Sequence, residues 1–350
     1  MNIAILTCSD FLIIGGAERF IIDIATALDA TIVTIGSKEN INLPYDIHNV
    51  KFHCLNIKLP SEPLRQVIGI NLFRKLKLNY DYYISVDDMS MYNLKNKPHL
   101  YYIFTPRRAF YDMYYDTMST KHGLKSLVYS IGIWLFRLAD QRYVHNNINH
   151  VACISNNVRN RIRKTYLRDA YVIYPCVHTE KYSYGSPGDY WLSVNRVDKW
   201  KQVDLQVEAF RHMPDKQLVI VGSVYEDMQT IVDAAPDNVH FIGIASESKL
   251  QHLYSHCIGF ITTAIDEDFG ITPLEAMASG KPVIATKEGG YMETVIDGYT
   301  GRLCTPCVDE IVQAVIEISK HPEQYKDACI KQAQKFDYSI FKVKIRECTL

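Results

Sequence analysis

Two acids, two cations and a short row of main-chain amides are the groups in this chain whose types and spacing could do chemistry together. Glu267 and Glu275 are separated by seven residues. They lie in Asp266-Glu267-Asp268-Phe269-Gly270-Ile271-Thr272-Pro273-Leu274-Glu275, which runs on through Ala276-Met277-Ala278-Ser279-Gly280-Lys281-Pro282-Val283-Ile284. The apolar run 259–264 before it reads as a buried strand, and 283–285 as another. Between them Thr272 can cap a helix, Pro273 suits its first position and Gly280 suits its end. Phe269, Gly270 and Ile271 then feed N–H groups toward a helix N-terminus, a natural seat for a phosphate. A second loop, 195–204, supplies Arg196 and Lys201. Fixed cations there suit a diphosphate leaving group, because negative charge grows on it as it departs.

Each of these residues also has a plainer reading. Thr272-x-x-Glu275 is a capping box, which alone could account for the carboxylate. Glu267 could be an exposed loop acid, and loop Lys and Arg are commonly just solvated. Taken together, carboxylates for hydroxyls at two places with phosphate donors between them are what a nucleotide sugar needs.

The elements that must position these loops can be read in order. Residues 2–7 form a strand, Gly15-Gly16 a turn, and Phe20, Ile21, Ile24, Ala25 and Leu28 one side of a helix. This is the opening βα unit of a doubly wound sheet. Further strands are expected at 31–35, 50–55, 82–86, 151–154 and 172–174. Gly, Pro and Ser concentrate at 177–188 and apolar periodicity stops, which marks a linker. A second strand–helix series starts at Trp191, and its strand 217–222 ends in Gly222, where backbone can approach a ligand. The expected division is 1–176, a linker at 177–188, 189–332, and a terminal segment 333–350.

With 350 residues, the chain fits two domains. A net charge of −1 argues against nucleic-acid binding driven by bulk charge. The longest uncharged stretch beside an apolar helix, 126–136, is far shorter than the ~20 residues of a membrane span. Residues 1–6 show no basic leader region, and nine cysteines lack framework spacing, so reduced thiols in a cytoplasm are expected. Cys304-Thr305-Pro306-Cys307 has no second pair, so no zinc site is expected. The segment 64–78, with Arg65, Arg74, Lys75 and Lys77, could lie on an anionic membrane surface. A domain helix with a solvated basic side is the commoner outcome. An apolar helix is expected at about 124–142, and Arg159, Arg161, Arg163 and Lys164 read as a solvated face of the next one, or as a collector of an anionic acceptor.

The segment Glu267-Asp268-Phe269-Gly270 with Glu275 to Ile284 resembles the E-x7-E signature of the family-4 retaining glycosyltransferases. These have the α/β GT-B fold, two Rossmann-like doubly wound parallel-sheet domains facing a cleft. The wording is most similar to the mannosyltransferases of that family that use GDP-mannose. Arg196 with Lys201 resembles the family pattern Gly-Arg-x-x-x-x-Lys-Gly, with Asn195 and Gln202 in place of its glycines. Gly15-Gly16-Ala17-Glu18-Arg19 resembles the family's first loop, whose glycine faces donor phosphate and acceptor. Val239-His240-Phe241-Ile242-Gly243 resembles the segment whose backbone meets the nucleobase. One departure is Phe104, where related enzymes usually carry a His before Thr-Pro; His99, five residues earlier, is not an assumed substitute.

The resemblance implies a hexosyltransferase that needs no metal and no cofactor. Its donor would be GDP-mannose or another nucleoside diphosphate sugar, and its acceptor a glycan or lipid-linked sugar. The expected location is cytoplasmic, with peripheral contact on the inner face of the membrane as a further option. Under this reading Arg196 and Lys201 hold the diphosphate and Glu275 holds the ribose. Glu267 is the acid at the reacting sugar. Phe269, Gly270, Ile271, Thr272, Gly16, Gly222 and Ile242 frame the donor. No side chain is assigned as general base, since the departing phosphate can take the acceptor's proton, and the terminal helix 333–350 returns to the first domain. Three alternatives stay open. They are a UDP-sugar-dependent enzyme of the same fold, a nucleotide-sugar epimerase, and a non-catalytic binding subunit, for which Phe104 argues.

Overall fold

Short apolar runs bounded by turn residues build thirteen strands among the described residues, and every strand pair is parallel. The computed structural model describes residues 1–12, 14–41, 50–61 and 64–349. Leu350, the last residue of the expected terminal helix, lies outside them. The chain divides into two compact units, Met1–Tyr174 with Phe341–Leu350, and Pro175–Ile340. Residues 175–176 and 333–340 thus go with the second unit, where the sequence had suggested otherwise.

The first unit holds β1 (Ile3–Thr7), β2 (Thr31–Thr34), β3 (Lys51–Cys54), β4 (Tyr82–Ser85), β5 (His99–Ile103), β6 (Val151–Cys153) and β7 (Tyr171–Val172). They lie side by side in the order β3-β2-β1-β4-β5-β6-β7. β1 and β5 are buried throughout, as strands covered on both faces must be. The second unit holds β8 (Tyr190–Val194), β9 (Gln217–Val221), β10 (Val239–Phe241), β11 (Phe260–Thr262), β12 (Val283–Thr286) and β13 (Gly301–Cys304), ordered β10-β9-β8-β11-β12-β13. Each order reverses at its first strand, between β1 and β4 and between β8 and β11. Ligands of such sheets bind outside the carboxyl ends of the strands at this switch point. The loops that carry Arg196, Lys201 and Glu267 leave β8 and β11 there.

Element ends differ from the sequence reading by a residue or two, as frayed ends do. Larger differences fall in the helices. The segment 64–78 is helical only over Leu64–Lys75, and the apolar helix extends over Gly123–Asn147. Residues after 321 form a short turn, Pro322–Tyr325, and two helices, Lys326–Gln334 and Tyr338–Thr349. Arg346 Nε bonds to the Ala27 carbonyl at 2.8 Å, inside the first unit. Arg161 departs from the solvated face expected of its run: it is buried and donates to Thr105 Oγ1 at 3.0 Å.

Candidate active site

The loop after β8 is built by local caps. Asp198 Oδ1 accepts from the amides of Trp200 (2.9 Å) and Lys201 (3.1 Å), closing the turn Lys199–Lys201. Gln202 then adopts left-handed backbone, φ 44° and ψ 47°, at the position where the resembling family carries glycine. A side chain there costs about 1–2 kcal/mol, and bonds from the neighbouring loop offset it. Thr263 Oγ1, just past β11, donates to the carbonyls of Lys201 and Gln202 at 2.9 Å each and accepts from Gln206 Nε2 at 2.8 Å. Ile265 N bonds to Trp200 O at 2.8 Å. The two switch-point loops are therefore stitched into one piece. Across the stitch, Lys201 Nζ donates to Glu267 Oε2 at 2.6 Å, with the side chains 23% and 21% exposed.

The acidic loop is clamped from its other side by Gly289 and Gly290. A Cβ on Gly289 would stand 2.5 Å from the Glu267 carbonyl oxygen, and one on Gly290 2.3 Å from Phe269 Cα. Gly290 N also bonds to Glu267 O at 2.7 Å. Only residues without side chains allow this approach. The helix that follows is Ile271–Ala278, with Gly270 as its cap at φ 91° and no side-chain cap. This corrects the sequence reading: Thr272 and Pro273 sit at the second and third helical positions, two residues further into the helix than expected. The first helical amides have no partner within the helix, and Pro273 has none to give. The donors at this end thus belong to Ile271 and Thr272, both half-buried. Phe269 is buried and packs on Phe336, ring centroids 5.6 Å apart, so it offers backbone and no side chain to a ligand.

Glu275 does not close a capping box. Its Oε2 accepts from the Tyr254 hydroxyl at 2.7 Å. Tyr254 is fully buried, and burial, with the Glu275 charge second, pushes its phenol well above the usual range, so it stays a donor. Arg196 stands apart from the Lys201–Glu267 pair. It is exposed, with Nη1 3.4 Å from Tyr225 Oη and Nε 3.8 Å from Asp198 Oδ2. Gly222, at φ 146°, is accounted for by packing, because a Cβ would lie 1.9 Å from Asn195 O. Ile242 is half-buried and extends β10 through its amide to Ile220 O at 3.0 Å.

In the first unit Gly16 opens the helix Gly16–Leu28 behind Gly15. Glu18 binds the Gly15 amide at 3.0 Å and Ser9 Oγ at 2.9 Å, while a Cβ on Gly16 would meet nothing within 4 Å. Gly16 is thus not demanded by packing. Phe104 stands 5.3 Å from Phe20 and 5.8 Å from Tyr102, ring centre to ring centre. His99 is buried, with Nδ1 2.7 Å from Lys97 O and Nε2 accepting from Asn149 N at 3.1 Å. Both ring nitrogens are engaged by backbone, so His99 does not replace the family's histidine. Sequence reasoning missed Asp198, Tyr254, Thr263 and the structural use of Gly289-Gly290. A cap rule would have found Asp198; nothing local pointed to Tyr254.

Residues 179–336 match the family described as Glycosyl transferases group 1. The alpha-1,3/1,6-mannosyltransferase ALG2 of Dictyostelium discoideum is 27% identical, over 96% of this chain and 93% of its own. Among solved structures, Anabaena Alr3699/HepE in complex with UDP and glucose superposes with TM-score 0.73 at 18% identity, covering 99% of this chain and 98% of that one. Sucrose-phosphate synthase from Thermosynechococcus elongatus gives 0.76 at 17% identity, covering 99% and 97%. The two parallel-sheet units and these likenesses give the chain the GT-B fold, and its residues 179–336 match a glycosyl transferases group 1 domain.

Proposed function

We propose that this glycosyltransferase moves mannose from GDP-mannose to a glycan or lipid-linked acceptor, with retention of configuration and no bound metal. The observation that carries the reading is the Lys201–Glu267 pair, set beside a helix N-terminus at the switch point of the second sheet. Lys201 and the amides of Ile271 and Thr272 take the diphosphate, and exposed Arg196 adds a second cation. Together they neutralise charge that a divalent ion would otherwise meet. Glu275, steadied by Tyr254, accepts from the ribose hydroxyls. Glu267 lies beside the cation, where the sugar joins the phosphate. The departing phosphate oxygen accepts the proton of the attacking hydroxyl, so no side-chain base is required.

The mannose assignment leans on the ALG2 relatives and the wording of residues 266–275. A UDP-sugar donor is the second reading, favoured by the UDP and glucose in the Anabaena structure. Calorimetry with GDP, GDP-mannose, UDP and UDP-glucose separates them. Binding of the uridine pair alone would remove GDP-mannose. Turnover that survives EDTA, with an α-linked first product seen by NMR, is expected. Inversion would remove the retaining mechanism.

A further inference from the structure

The helix Gly123–Asn147 turns its apolar face outward. Its buried residues, Ile133, Asp140 and Val144, share one side. At about 100° per residue, Leu124, Leu127, Val128, Ile131, Trp134, Leu135 and Leu138 fall within an arc of about 120° on the opposite side. These side chains are between 48% and 76% exposed. The stripe runs for about 21 Å of helix at 1.5 Å per residue. A contiguous apolar patch of that length on a surface marks a contact site.

Charge decides what the contact is. From Thr117 to Ala139 the sequence has no Asp or Glu, and its basic side chains are Lys121, His122, Lys125 and Arg137. The whole chain, by contrast, balances 38 bases with 39 acids. Lys125 is exposed at the start of the helix, and the line of the stripe continues past Leu138 to exposed Arg142 and His145. An apolar centre with basic ends and a half-exposed tryptophan matches an anionic lipid surface. The stems sink, the cations meet headgroups, and the indole sits at the boundary. A second copy laid on the stripe would set basic ends against basic ends. The helix Leu64–Lys75, where the sequence alone suggested membrane contact, exposes a shorter apolar patch, Leu64, Val67 and Ile68. No described helix is long and apolar enough to cross a membrane, so the geometry is that of a helix lying in the interface.

We propose that the Gly123–Asn147 helix docks this glycosyltransferase on the surface of an anionic bilayer. The idea stands apart from the donor assignment, and its test needs no turnover. The full chain is mixed with phosphatidylglycerol–phosphatidylcholine vesicles and with pure phosphatidylcholine vesicles, and partition is measured by flotation. The triple variant Leu127→Gln, Ile131→Gln, Leu135→Gln alters exposed side chains only, so its thermal unfolding should match the parent. Its partition to the anionic vesicles should fall about 100-fold, three partly inserted side chains being removed. A blue shift of tryptophan emission on vesicles should vanish in Trp134→Phe. No binding to anionic vesicles, equal binding to the neutral ones, or binding that the triple variant keeps would each overturn the proposal. So would a parent dimer that the variant dissociates, since a second copy would then cover the stripe.

Discussion

Glu267→Gln separates the two roles of the central ion pair, because the same change should help one ligand and harm another. Lys201 Nζ is bound to Glu267 Oε2 at 2.6 Å, and both side chains are about one-fifth exposed. Such a pair lies between the surface and buried regimes and is worth about 1–2 kcal/mol. A diphosphate that recruits Lys201 must compete with Glu267 for it. Removing the carboxylate's charge therefore tightens nucleoside diphosphate binding by about 5–30-fold, the affinity equivalent of that energy. On the proposed reading the sugar-bearing donor gains no such advantage in turnover, since the acid beside its reacting carbon is gone. There kcat should fall on the order of 100-fold. Lys201→Ala does the reverse. A unit charge pair at about 4 Å and effective dielectric 20 is worth about 4 kcal/mol, and partial exposure reduces this to about 2–3. Diphosphate affinity should then drop about 30–150-fold, with nucleoside monophosphate affinity little changed. Titration calorimetry with the two nucleotides, on both variants and the double variant, reads all of this. Unchanged or weaker diphosphate binding in Glu267→Gln would refute the competition. Equal losses for mono- and diphosphate in Lys201→Ala would remove Lys201 from the diphosphate.

The Glu275 carboxylate, held by the Tyr254 hydroxyl at 2.7 Å, should discriminate ribose: Glu275→Gln is expected to weaken ribonucleotides about tenfold and 2′,3′-dideoxynucleotides hardly at all. Equal weakening would mean a role other than the ribose. Gly290→Ala places a methyl 2.3 Å from Phe269 Cα, which should cost about 1–3 kcal/mol in denaturant unfolding and displace the acidic loop; an unperturbed midpoint would show that the clamp yields freely. Burial pushes the Asp140 carboxyl up to about 7 from 3.8. The folded protein thus keeps a proton that the unfolded chain releases, and stability should fall as pH rises from about 4 to about 7. Asp140→Asn should flatten that slope in melting curves, and parallel slopes for the two proteins would dismiss the shift.

The strands were legible because each is a short apolar run between turn residues, and the two strand series announced two doubly wound sheets. The loops bearing Arg196, Lys201 and Glu267 were legible for the same reason: they follow strands. Sequence could not supply the long-range bonds that fix them. Thr263 ties Lys201 and Gln202 across 61 or more residues, and Tyr254 reaches Glu275 from 21 residues away. The capping box at Thr272 was a fair local inference that Gly270 pre-empted. With left-handed backbone available two residues earlier, the helix starts at Ile271 and Glu275 is left to another partner. On the helix Gly123–Asn147, the sequence announced an apolar helix but not which of its sides meets the core. Periodicity fixes an angle along a helix; only tertiary packing chooses the direction.

The places where the chain departs from the pattern it resembles divide by their physical cost. Gln202 occupies a left-handed position that favours glycine. The strain of about 1–2 kcal/mol is held by the Asp198 caps and by Thr263, so the loop keeps its path and Lys201 keeps its charge in place. Asn195 needs no such support: its carbonyl is what Gly222 makes room for. In the second unit, then, substitution has changed the frame and spared the charges. Phe104 is a change of another kind. Where the resembling family carries a ring that can hydrogen-bond, Phe104 packs with Phe20 and Tyr102, and His99 is committed to backbone. On the proposed reading, any difference in chemistry from related enzymes should therefore originate in the first unit.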